Sequence, residues 1–109
     1  MKKILMCCLL GASMSATAVY SDELTEATNT YQNLCSACHG ADGKGVLPGV
    51  PDFTKADGRL SKTDAALASS ILDGFKSPGS PMAMPPKGGM PSMSQKQADD
   101  LVKYLKLNF

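Results

Sequence analysis

The chain has 109 residues, with 11 basic and 10 acidic side chains and a formal net charge of +1. This even balance, without a cluster of Lys or Arg, argues against nucleic acid as a partner. A chain of this length forms one domain and buries little apolar surface, so it needs some source of stability beyond its own core.

The first 18 residues have the pattern of a secretory signal peptide. Two lysines precede an apolar stretch that ends in Ala-Thr-Ala, with small residues at the −3 and −1 positions of a cleavage site. The stretch is too short for an anchor, because a membrane-spanning helix needs about 20 apolar residues. We therefore predict a signal peptide over residues 1–18, cleavage after Ala18 and export to the periplasm. Residues 19–109 then form the folded domain, with no stable membrane anchor.

The segment SDELTEATNTYQNLC is predicted to be the first helix of this domain. Ser21 or Asp22 is the expected N-cap. The apolar residues recur at helical spacing, namely Leu24, Ala27, Tyr31 and Leu34. The helix is expected to run directly into the motif that follows it.

That motif is Cys35-Ser-Ala-Cys38-His39, which contains the one histidine of the chain. Export removes the two leader cysteines and leaves this pair alone. Structural zinc requires four ligands, and the domain offers two cysteines and one histidine. A redox dithiol is expected near a βαβ pattern, which is absent. A disulfide across so small a loop would add little stability.

The C-x-x-C-H spacing instead indicates covalent haem attachment. Both thiols would form thioethers with the porphyrin, and His39 would bind iron from one face. A tethered porphyrin also supplies the core that so small a domain lacks. We therefore predict one covalent haem c, attached through Cys35 and Cys38.

The next two segments are predicted to be a loop and a helix. Residues 40–59 contain too many Gly, Pro and Asp for regular structure and are expected to wrap one side of the haem. Residues 61–75 read as a helix capped by Ser61 or Thr63, with Gly74 near its end. Its apolar face comprises Ala68, Ile71, Leu72 and Phe75.

A loop rich in Pro and Gly follows and contains all four methionines of the domain: Met82, Met84, Met90 and Met93. A single methionine usually fills a gap in a core. Four in one loop, downstream of a haem motif and without a second histidine, indicate that one of them is the other iron ligand. The remaining three are expected to line the haem edge.

The last helix opens with Ser94 and Gln97 in a capping-box pattern. Its inward stripe comprises Ala98, Leu101, Val102 and Leu105. No segment shows the period-two alternation of a strand, so the predicted fold class is all-α.

This order of elements resembles that of class I c-type cytochromes over essentially the whole domain. The stretch AMPPKGGMPSMSQKQADDLVKYL is similar to the small bacterial cytochrome c-five subgroup, whose ligand methionine precedes a Pro-Pro-Lys-Gly-Gly run and a short capped helix. The chain lacks the extra cysteine pair that some members carry near this loop. The resemblance implies a monohaem cytochrome c fold, with the N- and C-terminal helices crossing and loops wrapping the haem.

The resemblance also assigns roles to individual residues. It implies that Met84 is the second iron ligand, and the two prolines after it would stiffen the backbone by fixing φ. It further implies that the Pro48 carbonyl accepts the ring N–H of His39, because metal-bound histidines donate their other N–H to a neighbouring acceptor. Pro51 is the second candidate for this role.

The function implied by the resemblance is electron transfer and not enzymatic catalysis. A monomeric protein would carry single electrons between redox partner proteins by Fe(II)/Fe(III) cycling with His/Met ligation. Lys44, Lys76 and Lys87 fall in or near loops expected around the haem, where they either dock an acidic partner or are ordinary solvated lysines. The alternative hypothesis is a haem-based ligand sensor or low-activity peroxidase with a labile methionine ligand.

Overall fold

The computed structural model describes residues 14–56 and 58–109, and for residues 14–21 the backbone alone. The predicted signal peptide therefore lies largely outside the described residues. Within the described ranges the chain is helical, without a strand and with one antiparallel bridge, between Phe75 and Met84. This confirms the all-α class. None of the helices in these ranges combines the length and apolar character needed to cross a membrane.

The described residues form four α-helices: α1 (Met14–Thr30), α2 (Ser36–His39), α3 (Asp64–Asp73) and α4 (Gln95–Asn108). A π-helical turn, Tyr31–Cys35, joins α1 to α2, and such turns are frequent at functional sites. The predicted cap at Ser21 or Asp22 is wrong for the full chain. The helix begins earlier because no Gly or Pro interrupts residues 14–30.

Local capping interactions fix the ends of α3 and α4. The Thr63 hydroxyl accepts a hydrogen bond from the Ala66 N–H (3.2 Å) and starts α3, whereas Ser61 donates to a loop carbonyl. Gly74 ends α3 with a φ of +83°. Ser94 and Gln97 form the predicted capping box, with bonds of 3.1 and 2.8 Å. These contacts form within a few residues, which is why the sequence pattern predicts them.

The core lies where α4 packs against both α1 and α3, as expected for paired first and last helices. The predicted stripe of α4 is buried along its whole length. Of the predicted face of α3, Ala68 and Ile71 are buried together with Leu67, and Leu72 packs against this core. Phe75 follows the end of the helix and does not belong to the core. At the edge of this core, the Lys96 ammonium of α4 lies 2.9 Å from carboxylate oxygens of both Glu23 and Asp100. This ion pair ties α1 to α4.

A cluster of aromatic rings continues the core toward the loop after α2. Tyr31 lies 5.1 Å from Tyr104 and 5.6 Å from Phe109, measured between ring centroids. Phe53 lies 6.1 Å from Phe109. Gly43 makes this approach possible, because a Cβ there would lie 2.8 Å from the Phe109 ring. The loop after α2 is thus held against the C-terminal helix.

Candidate functional site

A large cavity opens between the loop after α2, helix α3 and the methionine-rich loop, with α4 at its base. Its walls are mainly apolar and include Leu67, Ile71, Leu101 and Leu105. The empty space, including the open mouth, is about 1290 Å³. Cofactor sites are usually concave and mainly apolar with a few polar groups, and this cavity has that character.

All four predicted site residues line this cavity: Cys35, Cys38, His39 and Met84. The π-helical turn and α2 present the first three. Both thiols are free and half-buried. Burial, with a smaller contribution from Cys38, raises the pKa of Cys35 to about 11. Cys35 is therefore a neutral thiol at pH 7.

His39 is held by packing. Burial lowers its pKa, which favours the neutral imidazole that binds metals. Its Nδ1 atom is buried and has no hydrogen-bond partner in the described part of the chain. The predicted acceptor, Pro48, is exposed in a turn closed by the Val50 N–H and the Leu47 carbonyl (3.2 Å). The Pro48 prediction is therefore wrong here, and Pro51 does not accept the bond either.

The ring of His39 instead stacks on that of Phe53, with 4.6 Å between centroids and 15° between planes. Sequence analysis did not identify Phe53, because a lone aromatic residue in a loop carries no local signal of its partner. The packing of the loop after α2 brings the two rings together.

Met84 reaches the cavity from a backbone that is fixed on both sides. Its N–H donates to the Phe75 carbonyl (2.7 Å), and its carbonyl accepts from the Phe75 N–H (3.1 Å). Met82 also lines the cavity but is 44% exposed. Met90 and Met93 do not line it and pack in or against the core. The prediction that they border the haem is wrong, because the 3-10 turn Pro86–Gly89 separates them from the segment at the cavity.

Two cations stand at the cavity wall beside Phe75. The Arg59 guanidinium and the Lys62 ammonium lie 4.8 and 4.9 Å from the centre of the Phe75 ring, and Arg59 donates to the Ser77 hydroxyl. Among the described residues that line the cavity there is no Asp or Glu. The wall therefore favours an anionic group. Two basic residues three positions apart are common in sequences, so sequence analysis did not identify Arg59 and Lys62 as site residues.

Tyr31 is a further cavity residue that sequence analysis placed only on a helix face. Its hydroxyl is buried and donates to the Gly40 carbonyl at 2.6 Å. Burial, with smaller contributions led by Cys35, raises its pKa to about 12. The bond fixes the backbone immediately after His39.

The combined arrangement fits a haem. A tethered porphyrin requires two neighbouring thiols and a large apolar cavity. Its iron requires donors such as imidazole and thioether. Its anionic carboxylates match the two cations at the cavity wall. By contrast, the described residues contain no group of three or more Cys, His, Asp or Glu side chains that could hold a metal ion by themselves. The zinc alternative therefore gains no support.

Comparison with known proteins gave matches over most of the chain. The family described as Cytochrome c matches residues 24–108. Cytochrome c-555 of Prosthecochloris aestuarii is 31% identical over 85 residues, covering 76% of this chain and 85% of that protein. Lupanine 17-hydroxylase (cytochrome c) of a Pseudomonas species is 37% identical over 75 residues, covering 67% of this chain but only 9% of the enzyme. No solved structure matches significantly.

Proposed function

Because this chain belongs to the cytochrome c family, whose members carry covalent haem c, we propose that it transfers single electrons between redox partner proteins. The haem is attached to Cys35 and Cys38, and its iron is bound by His39 and Met84. Support comes from the cavity, which all four side chains line although Met84 is remote from the others in sequence.

When bound, the haem supplies an iron that takes up and releases one electron. The protein determines the environment of that iron. With His39 and Met84 as its protein ligands, the iron would have no position left for a substrate, and a thioether ligand would raise the reduction potential. The apolar wall would exclude water, and Arg59 and Lys62 would attract the anionic carboxylates of the porphyrin.

The proposal includes export to the periplasm after cleavage behind Ala18. The partners are redox proteins, and docking would use exposed lysines in the loops that follow α2 and α3. Lys44 and Lys76 are exposed, whereas the Lys87 ammonium donates to the Pro91 carbonyl at 3.4 Å. Lys44 and Lys76 are therefore the better candidates for attraction to an acidic partner.

A haem stain of the purified protein after denaturing electrophoresis tests the proposal. Covalent haem survives denaturation, so the wild-type band should stain, and Cys35→Ser and Cys38→Ser should weaken the stain. His39→Ala should abolish the low-spin absorption spectrum. A periplasmic wild-type protein that carries no haem would refute the proposal.

Carbon monoxide separates the electron carrier from the ligand sensor. The reduced carrier should bind carbon monoxide slowly and weakly, because Met84 occupies the sixth position. Rapid and tight binding by the wild-type protein would favour the sensor.

A further inference from the structure

We propose that a contact between two Pro-Gly turns holds the segment of Met84 in place and limits how often this methionine leaves the iron. The first turn is formed by residues 47–50 of the loop after α2, and the second by residues 77–80 of the methionine-rich loop. The inference rests on the proposed ligation of iron by Met84. It assigns Gly49, at the centre of the contact, the role of a positioning residue.

Each turn is closed by its own backbone hydrogen bond. The Val50 N–H donates to the Leu47 carbonyl at 3.2 Å, and the Ser80 N–H donates to the Ser77 carbonyl at 3.0 Å. In both turns Pro is the second residue and Gly the third, and the two glycines have φ angles of +85° and +79°. This is the arrangement of a type II turn, which Pro and Gly favour at these positions. The shape of both turns is therefore determined by their own sequences.

The two turns touch each other through Gly49. A Cβ at this glycine would lie 2.6 Å from the Ser80 hydroxyl oxygen and 3.2 Å from Pro81 Cδ. The hydroxyl is itself engaged, because it donates to the Met82 carbonyl at 2.8 Å. The Pro81 ring is part of the backbone and cannot turn aside. Only a residue without a side chain therefore allows the first turn to pack so closely against the second.

The second turn is the tip of a short hairpin that carries Met84 at its base. Phe75 and Met84 form the antiparallel bridge of this hairpin through hydrogen bonds of 2.7 and 3.1 Å. The tip is held by the contact between the turns and by Arg59, whose guanidinium donates to the Ser77 hydroxyl. Both turns also line the cavity. The contact therefore joins the loop that follows His39 to the segment that carries Met84.

This connection affects how readily the sixth position of the iron opens. A ligand from solution can bind the iron only after Met84 has left it. The contact between the turns opposes movement of the hairpin away from the cavity. Local openings of this kind have their own free energy, which is smaller than that of global unfolding. A weakened contact should therefore make opening more frequent without unfolding the domain.

The test measures how fast imidazole displaces Met84 from the ferric holoprotein, followed by the loss of the sulfur-to-iron band. At high imidazole concentration, this rate approaches the rate at which Met84 leaves. Gly49→Asn places a side chain at the contact, and Asn adopts a positive φ more readily than most residues do. We expect displacement to be several-fold faster in Gly49→Asn than in wild type.

Gly79→Asn is the matched control. It makes the same change at the third position of the second turn and at a similar φ, but a Cβ there would have no described atom within 4 Å. Its displacement rate should be close to that of wild type. Equal rates in wild type and Gly49→Asn, or an equal acceleration in Gly79→Asn, would overturn the inference.

If Gly49→Asn does not give a folded holoprotein, proton NMR of the reduced wild-type holoprotein decides. Nuclear Overhauser contacts between the α-protons of Gly49 and the β-protons of Ser80 are expected, and their absence would refute the contact between the turns. A wild-type protein without haem, or without the sulfur-to-iron band, would instead refute the proposed function.

Discussion

At the scale of single residues, the two proposed iron ligands are held in different ways. His39 adjoins Cys38 in the motif and is confined by the ring of Phe53. Met84 lies far from the attachment motif in the sequence. Its backbone is held in position by two hydrogen bonds with the backbone of Phe75. A thioether is a weak ligand, so a fixed backbone matters more for Met84 than for the histidine.

Replacement of Met84 by Ala should open the sixth position. We expect loss of the weak sulfur-to-iron absorption band, a lower reduction potential and rapid carbon monoxide binding. Met82→Ala is the matched control, because Met82 lines the same cavity but is 44% exposed. Retention of the band in Met84→Ala and its loss in the control or in Met90→Ala would contradict the assignment.

Tyr31→Phe should destabilise the protein by about 0.5–1.5 kcal/mol, because the Gly40 carbonyl loses the bond from the hydroxyl and keeps only the longer bond from the Gly43 N–H (3.2 Å). The pKa of Tyr31 is about 12 in the fold, compared with an ordinary value of 10.0. The neutral phenol therefore stabilises the fold fully below pH 10, and this contribution is lost as the pH rises toward 12. Urea unfolding across this range measures both effects. An equally steep loss of stability in Tyr31→Phe would contradict the pH assignment.

At the scale of elements, the C-terminal end of α3 is tied to the methionine-rich loop. Gly74 ends the helix with φ +83°, and a Cβ there would lie 2.8 Å from the Met84 carbonyl oxygen. The next residue, Phe75, forms the bridge to Met84. The C-terminal end of α3 therefore determines the position of the Met84 backbone.

Gly74→Ala should both lower stability and weaken the sulfur-to-iron band. Gly79→Ala is the matched control, since Gly79 also has a positive φ (+79°) but no atom within 4 Å of an added Cβ. A positive φ costs a non-glycine residue about 1–3 kcal/mol, and both variants carry this cost. Thermal unfolding should show a larger loss of stability for Gly74→Ala than for Gly79→Ala. Equal losses of stability, with the sulfur-to-iron band intact in Gly74→Ala, would contradict the role of the bridge.

Elements that depend on neighbouring residues were predictable from the sequence. The capping box of Ser94 and the end of α3 at Gly74 are examples, as is the clustering of Cys35, Cys38 and His39. Features that depend on packing between distant segments were not predictable. The stacking of Phe53 on His39 and the cations beside Phe75 form when loops meet, and no local pattern encodes such a meeting.

At the scale of the whole molecule, the cavity and the core share their walls. Leu67, Ile71, Leu101 and Leu105 belong to the buried core and also line the cavity. A bound haem therefore adds apolar contacts to the core of a small domain, which buries a smaller share of its surface than a large one does.

The chain produced without haem should accordingly lose its cooperative fold. A group that binds only the folded state adds its binding free energy to stability. Far-UV circular dichroism of the Cys35→Ser/Cys38→Ser double variant made without haem should show reduced helix and no sharp thermal transition. A haem-free chain that melts cooperatively near the temperature of the holoprotein would contradict this expectation.

The two sides of the cavity come from distant parts of the sequence. This affects whether the bond between iron and Met84 can break and form again. The proposed bond from iron to Met84 would close a loop of about 45 residues back to His39, a cross-link for which chain entropy predicts a stabilisation of roughly 4 kcal/mol. Its rupture would release that loop, yet the thioethers would keep the porphyrin on the chain. Re-formation is then intramolecular and independent of protein concentration. Under the proposed ligation, the protein would lose its distal ligand and recover it without ever losing its cofactor.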